Sequence, residues 1–507
     1  MNPGDLRLKP RDAAESKSRF ISKSKFLLGL QCHKLLWHAY HAKHLIPEPD
    51  PHKQAIFDQG HEIGELAKRL FPGGIEIGTG TGGFDEILTA SEQGVKERRP
   101  LYEAAFVYRG GYARADILNP ATSSLWDLIE VKSTTSVKDV HIHDLAFQAY
   151  VLAGAGLKLR RCILAHVNPG FVRNGAIEPQ EFFVLEDVTV QASAVSRDVE
   201  SRLYDMFSTL HLRQHPDIAI GRHCDDPHPC PLHNLCWGHL PESGVTTLYR
   251  GRKKGFKLLQ DGLNSLANIP DDFKLTDNQE IQRQAARTGQ PYIDEHAIAR
   301  FLKRIKFPVS YLDFETFATA IPLFDGLRPY HQVPFQFSLH VQRSKDAELE
   351  HHSFLADGRT DPRPEFMRRL HELLPRRGSV VIFNSPFEIG RLKECSELLP
   401  VFRPWVSAIK RRIVDLLLPF RRFHYYHPKQ NGSASMKAVL PALTGRGYDQ
   451  LAIQDGGIAS LEFLRVTFGD VTEEERQRVR RQLEEYCGLD TLGMVWIVDE
   501  MRRLAQD

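Results

Sequence analysis

The stretch LYEAAFVYRGGYARADILNPATSSLWDLIEVKS, residues 101–133, decides how the first half of the chain is read. Its first two apolar runs predict strands, and Gly110-Gly111 between them is a hairpin signal. SLWDLIEVKS predicts a third strand. Asp116 stands near the end of the second strand, while Glu130 and Lys132 lie two apart on the third. A side-chain period of two puts Glu130 and Lys132 on one sheet face, shared with Trp126 and Leu128. Glu-x-Lys is also a common surface charge pair, but charges set into an apolar strand ask for a function. Two carboxylates on neighbouring strands can hold a hard ion, Mg²⁺ or Mn²⁺, through oxygen. A lysine beside them can position the attacking water and offset charge on a pentavalent phosphorus.

Working outward, SKFLLGLQCHKLLWHAY (24–40) and QAIFDQGHEIGELAKRLF (54–71) predict amphipathic helices upstream. Downstream, DLAFQAYVLAGAGL (144–157) predicts a helix and RRCILAHVN (160–168) a strand. The order is helix, hairpin, strand, helix, strand, an α/β arrangement. With its motifs, this half resembles the RecB-like branch of the PD-(D/E)xK nuclease superfamily over about residues 20–240. The resemblance implies a restriction-endonuclease-like fold, with Asp116 and Glu130 as metal ligands and Lys132 as the catalytic lysine. It also implies site roles for the helical His61 in GHEIGELA and for Gln148. Where the family has a tyrosine four residues after that glutamine, this chain has Leu152, with Tyr150 close by.

Seven cysteines among 507 residues are too few for a disulfide framework, and clustered ones more often bind metal. HCDDPHPCPLHNLCWGH (223–239) places five residues between Cys224 and Cys230 and five between Cys230 and Cys236. Cys32 lies far upstream. RecB-like nucleases that carry a cluster show this layout, one cysteine before the core and three after it. The resemblance therefore implies a [4Fe–4S] cluster on Cys32, Cys224, Cys230 and Cys236, stapling the domain. The family's first interval more often holds two residues than five. Zn²⁺ is the alternative, with His223, His228, His233 and His239 as further donors. Cys162, Cys395 and Cys487 are expected as small buried hydrophobes.

In the second half, VSYLDFETF (309–317) puts Asp313 and Glu315 on one face of a predicted strand. PFQFSLHVQ and SVVIFN predict further strands, PEFMRRLHELL a helix, and a helix begins at Pro386 with Glu388 in its first turn. Tyr486 and Asp490 fall four apart in a long helix predicted from Glu473 to Ala505. Four acidic groups from separate segments can hold two divalent ions about 3.5–4 Å apart, with Tyr486 orienting water. The ordered motifs resemble DEDD exonucleases of RNase H-like fold over about residues 306–505. The family's second-motif aspartate is Glu388 here, and Asp415 is an alternative ligand.

The whole chain resembles a bacterial family that fuses the two nuclease types. The expected organisation is a flexible tail (1–20), a PD-(D/E)xK domain (21–240), a helical connector (241–305) and an exonuclease domain (306–507). A net charge of +2 neither demands nor excludes a polyanionic partner. No apolar run approaches the roughly 20 residues of a membrane helix, and the charged N-terminus lacks a signal-peptide core. A cytoplasmic, metal-dependent nuclease is expected, acting on DNA with single-stranded ends and removing nucleotides from 3′ ends at the second site. A ribonuclease, and a nucleic-acid clamp with degenerate sites, are the alternatives.

Overall fold

The computed structural model describes residues 20–78 and 83–505. The tail expected over residues 1–20 lies, but for Phe20, outside them. The chain divides between Trp237 and Gly238 into two compact units, each with its own sheet and core. Both are mixed α/β.

The first unit holds a seven-stranded sheet. Its strands are β1 (Ile21–Ser22), β2 (Ile75–Glu76), β3 (Leu101–Tyr108), β4 (Gly111–Pro120), β5 (Leu125–Lys132), β6 (Lys158–Val167) and β7 (Phe183–Asp187). The order is β2-β3-β4-β5-β6-β7, with β1 alongside β4. β3, β4 and β5 run antiparallel in succession, and β5 and β6 run parallel. A parallel pair needs a crossover, which the helix Asp139–Gly154 provides. The hairpin turns at Arg109 and Gly110, both at positive φ, one residue earlier than expected. Gly111 is already in β4, where a β-carbon would come 2.8 Å from Val151. β4 continues to Pro120, which leaves Asp116 in the middle of the strand rather than near its end.

Residues 24–40 form two helices, α1 (Lys23–Gln31) and α2 (His33–His41), instead of the one expected. Cys32 separates them in extended conformation (φ −162°, ψ 121°), closing one helix and opening the next. Its N–H still donates to Leu28 O and its carbonyl accepts from Leu36 N, so the break leaves no backbone group orphaned. The upstream amphipathic helix is α3 (Pro51–Lys68), N-capped by Asp50, whose carboxylate accepts from Lys53 N.

The second unit holds β8 (Tyr292–Ile293), β9 (Val309–Phe317), β10 (Val333–Gln342), β11 (Leu349–Leu355), β12 (Ser379–Ile382), β13 (Ile413–Asp415) and β14 (Tyr425–Tyr426). Five of them form a sheet in the order β11-β10-β9-β12-β13, and β14 pairs with β8. β10 is antiparallel to β9 and β11, whereas β12 is parallel to β9 and β13. Alternation along β9 divides the core: Tyr311 and Phe317 pack on one face with Val498 and Met501, Leu312 and Phe314 on the other with Phe366 and Leu392. Asp313 and Glu315 therefore project toward the helix Glu473–Leu504. Segment 241–305, expected as a connector, is packed into this unit: β8 joins β14, and the helix Glu295–Leu302 lies on the C-terminal helix.

Candidate active sites

In the first unit, pairing of β4 with β5 brings Asp116 beside Glu130, and Val131 N–H donates to Asp116 Oδ2 at 2.9 Å. Glu130 is 1% exposed. Lys132 Nζ lies 2.6 Å from Glu130 Oε1 and 2.7 Å from Asp144 Oδ2. Gln148 Nε2 donates to Glu130 Oε2 at 2.7 Å and to Asp144 Oδ1 at 3.0 Å. From α1, Lys23 Nζ reaches both oxygens of Glu130 (2.8 and 3.0 Å) and Asp116 Oδ1 (3.2 Å). Three carboxylates, two ammonium groups and one amide thus form a single network.

Burial, helped by the charge of Glu130, lifts Asp116 to about 7, against the pull of Lys23 and Lys132. Burial acts on Glu130 in the same sense, but the ammonium groups of Lys132 and Lys23 outweigh it and hold Glu130 below the usual carboxylate range. Burial likewise disfavours charge on Lys132, yet Glu130 and Asp144 outweigh it and keep the lysine protonated.

Sequence reasoning missed Lys23 and Asp144. Asp144 precedes Gln148 by four residues, a helical spacing that places both on one face, so it was open to detection. Nothing local marks Lys23. His61 is exposed on α3, and among the described residues no hydrogen bond joins it to the network. Leu152 is fully buried in the core, and the Tyr150 ring packs against Tyr108.

Cys32, Cys224, Cys230 and Cys236 line one cavity together with His223, His233 and Trp237. All four are free thiols. Gln31 holds the arrangement together: its Nε2 donates to His223 O (2.8 Å) and His228 O (2.7 Å), tying α1 to the cysteine loop. Burial pushes the Cys230 thiol up to about 11. Cys162, Cys395 and Cys487 are buried elsewhere.

In the second unit, one cavity of about 420 Å³ is lined by Asp313, Glu315, Glu388, Tyr486 and Asp490. Single ligand oxygens of Asp313, Glu315 and Asp490 lie within 4.8 Å of one another; no other His, Cys, Asp or Glu triplet does so among the described residues. Glu388, in the first turn of the helix Ser385–Leu398, is 3% exposed, and its Oε2 is buried without a hydrogen bond. Burial, then the charge of Asp415, raises Glu388 to about 8. Burial, with Asp490 next, lifts Asp313 and Glu315 well above the ordinary range. Asp490 is raised to about 6 by burial, tempered by the Tyr448 hydroxyl and by Lys437. Asp415 lies outside the cluster, because its oxygens accept from Asn384 N, Ser385 N, Ser385 Oγ and Leu417 N at the end of β13.

Two residues of this site were not foreseen. Tyr448 OH donates to Asp490 Oδ1 at 2.5 Å. Lys437 lines the cavity, its Nζ 5.9 Å from the centre of the Tyr486 ring. No motif signals Tyr448, and Lys437 lies in the first turn of the helix Met436–Thr444.

Residues 310–435 match the model of a domain of unknown function, DUF2779. The match includes Asp313, Glu315 and Glu388 and stops short of Tyr486 and Asp490. The chain is 26% identical over 213 residues to the uncharacterised protein MG366 of Mycoplasma genitalium, covering 38% of this chain and 32% of that protein. It is 25% identical over 213 residues to the MG366 homologue of Mycoplasma pneumoniae, with the same coverage of each. The uncharacterised protein UU173 of Ureaplasma parvum is 24% identical over 243 residues, 44% of this chain and 35% of that one. The matched region is about a third of the length of these curated relatives. No helix among the described residues is long and apolar enough to cross a membrane.

Proposed function

We propose that the chain is a metal-dependent nuclease with two phosphodiester-hydrolysing sites, one in each unit, acting on DNA with single-stranded ends. The observation that carries this reading is the convergence of Asp313, Glu315, Glu388 and Asp490 on one cavity from β9 and two helices distant in sequence. Three buried carboxylates and the half-buried Asp313, all with raised proton affinity and one with an orphaned oxygen, form an oxygen donor set suited to a cation. Hard divalent ions suit such all-oxygen sites. Mg²⁺ or Mn²⁺ held by these four groups would supply Lewis acidity and lower the pKa of a bound water. Tyr448 and Tyr486, whose phenols burial keeps protonated, supply hydroxyl donors beside Asp490. The sheet order β11-β10-β9-β12-β13, with one antiparallel inner strand, supports an RNase H-like fold for this unit.

The first unit supports a PD-(D/E)xK reading through Asp116, Glu130 and Lys132. There Glu130 and Asp116 would hold the ion, Lys132 would stand beside the attacked phosphate, and Gln148 would fix the Glu130 carboxylate. At the cysteines, tetrahedral Zn²⁺ with bonds of about 2.3 Å would draw sulphurs to about 3.8 Å apart. Four free thiols lining one cavity would equally serve a [4Fe–4S] cluster in a structural role, the reading proposed here.

End-labelled single-stranded DNA and RNA, incubated with Mg²⁺ or Mn²⁺ and anaerobically purified protein, test the proposal. Glu130→Ala and Asp490→Ala should each abolish a different set of products, and the double variant should be inert. A wild-type chain that cuts neither polymer refutes the nuclease reading. Cutting of RNA in preference to matched DNA would make the enzyme a ribonuclease.

A further inference from the structure

We infer that segment 247–250 and Arg421 form the far end of a groove that guides a single strand of nucleic acid into the second site. The inference rests on the nuclease reading of that site and adds the path and strandedness of its substrate.

The carboxylate cavity does not end at Glu388. Four of its lining residues, Phe383, Asn384, Ser435 and Met436, also line a neighbouring cavity of about 490 Å³. Beyond them this second cavity is bounded by Tyr249, Arg250, Leu417, Arg421 and Gly432. One continuous path therefore leads from four acidic groups to two arginines. Both arginines are exposed, and neither has a carboxylate partner among the described residues. Arg250 lies over the Tyr249 ring, 5.4 Å from its centre.

This far end is held firmly. Gln282, fully buried, accepts from Tyr249 N (2.7 Å) and donates to Thr247 O (2.9 Å). Gln279, also buried, donates to Tyr249 O at 2.9 Å. The Tyr249 hydroxyl donates to Arg421 O at 3.2 Å, which fixes the two arginine-bearing segments to each other. At Gly432 (φ +73°) a β-carbon would come 2.1 Å from Thr247 O, so the opposite wall closes on this loop only with glycine. Arg250 itself is held at φ 48°, a conformation that costs a non-glycine residue energy and persists where its surroundings impose it.

A linear polyanion whose terminus meets the carboxylates would pass its next phosphates to Arg250 and Arg421. The half-buried Phe383, at the junction of the two cavities, offers a ring face for a base. Stacking on such a face requires an unpaired base, since the planes of a duplex are covered by their neighbours. Phosphate contacts from arginine with aromatic stacking are the means by which single strands are held without sequence preference.

The test uses the full chain carrying Glu130→Ala, so that trimming reports the second site alone. On an oligo-dT of about a dozen nucleotides, Arg250→Ala with Arg421→Ala should raise KM roughly tenfold and reduce the salt dependence by one to two counterions. kcat should hold within about twofold, and so should KM for a dinucleotide, too short to reach the arginines. A photoreactive thymidine analogue three or four nucleotides from the 3′ end should crosslink to peptides containing Tyr249 or Arg421. Normal trimming with an unchanged long-substrate KM and no such crosslink overturns the groove and leaves the nuclease reading standing. Absence of trimming with the crosslink present overturns the nuclease reading and keeps the groove; absence of both overturns both. Equal competition by an acidic peptide of matched charge also overturns the assignment to nucleic acid.

Discussion

The ammonium of Lys23 lies 2.8 Å from Glu130 Oε1 and 3.2 Å from Asp116 Oδ1, between the two carboxylates that the motif assigns to a metal ion. A cation carried on α1 thus shares the ligands that an incoming ion would need. Lys23→Met should tighten Mn²⁺ binding at the first site, with calorimetry showing the lower dissociation constant. In metal-free buffer the same variant leaves Glu130 with less compensation, and loss of one partner of a buried ion pair costs about 3–5 kcal/mol. The Lys23 side chain is 25% exposed, which reduces that figure. Hydrogen exchange in β4 and β5 should therefore quicken without metal and recover when Mn²⁺ is added. Weaker Mn²⁺ binding in the variant would show that Lys23 assists the ion rather than competing with it.

At the cysteines, the four thiols gather around one cavity with Gln31 bridging α1 to the loop that carries three of them. Chain closure between positions so far apart in sequence confers stability chiefly on the unit it closes. Cys230→Ser should abolish the iron content and visible absorbance of anaerobically prepared protein. It should destabilise the first unit while trimming at the second site persists. Iron-free protein with one tightly held zinc would assign the cavity to zinc instead.

Which acidic groups share a face was legible because strand periodicity and helical i,i+4 spacing are local rules, while the convergence of separate segments was an expectation of the family resemblance. Asp313 with Glu315, and Tyr486 with Asp490, could be placed on shared faces before any fold was known. Cys32 was read inside one continuous helix, since LLGLQCHKLLW keeps helical periodicity through the break. The extended backbone at Cys32 is imposed by packing, which the local pattern does not contain. Lys23 and Tyr448 escaped for the same reason: each enters its site from a segment far away in sequence. The 241–305 segment looked like a connector because its polar residues, Gln279 and Gln282 among them, are buried as clamps on the backbone.

Proton linkage at the second site follows from Glu388 and Asp490. Their folded-state values, about 8 and about 6, stand above the ordinary carboxylate values of 4.5 and 3.8. The folded state then binds more protons than the unfolded state, so stability falls as pH rises from the unfolded pKa values through the folded ones. Once the base-catalysed intrinsic rate is divided out, amides of β9 in metal-free protein should be less protected at pH about 8 than at about 5, and Mg²⁺ should close that gap. Peptide-level exchange reads this unit separately from the other, which a single melting curve does not. Glu388→Gln should flatten the pH dependence. An unchanged slope in that variant would place the titration elsewhere.

Tyr448 acts on Asp490 through its hydroxyl, and the effect has a definite direction. The hydrogen bond favours the ionised carboxylate and so lowers a pKa that burial raises. Tyr448→Phe removes the donor while keeping the ring that packs near Tyr486. A hydrogen bond to a charged group is worth about 1.5–3 kcal/mol, so the rate of 3′ trimming should fall roughly 10- to 100-fold. A loss from misfolding would lower the rate equally at every pH. Loss of the hydrogen bond should instead move the acid limb of the pH–rate profile to higher pH, because Asp490 then ionises later. A uniform loss with an unshifted limb would leave Tyr448 a packing residue alone.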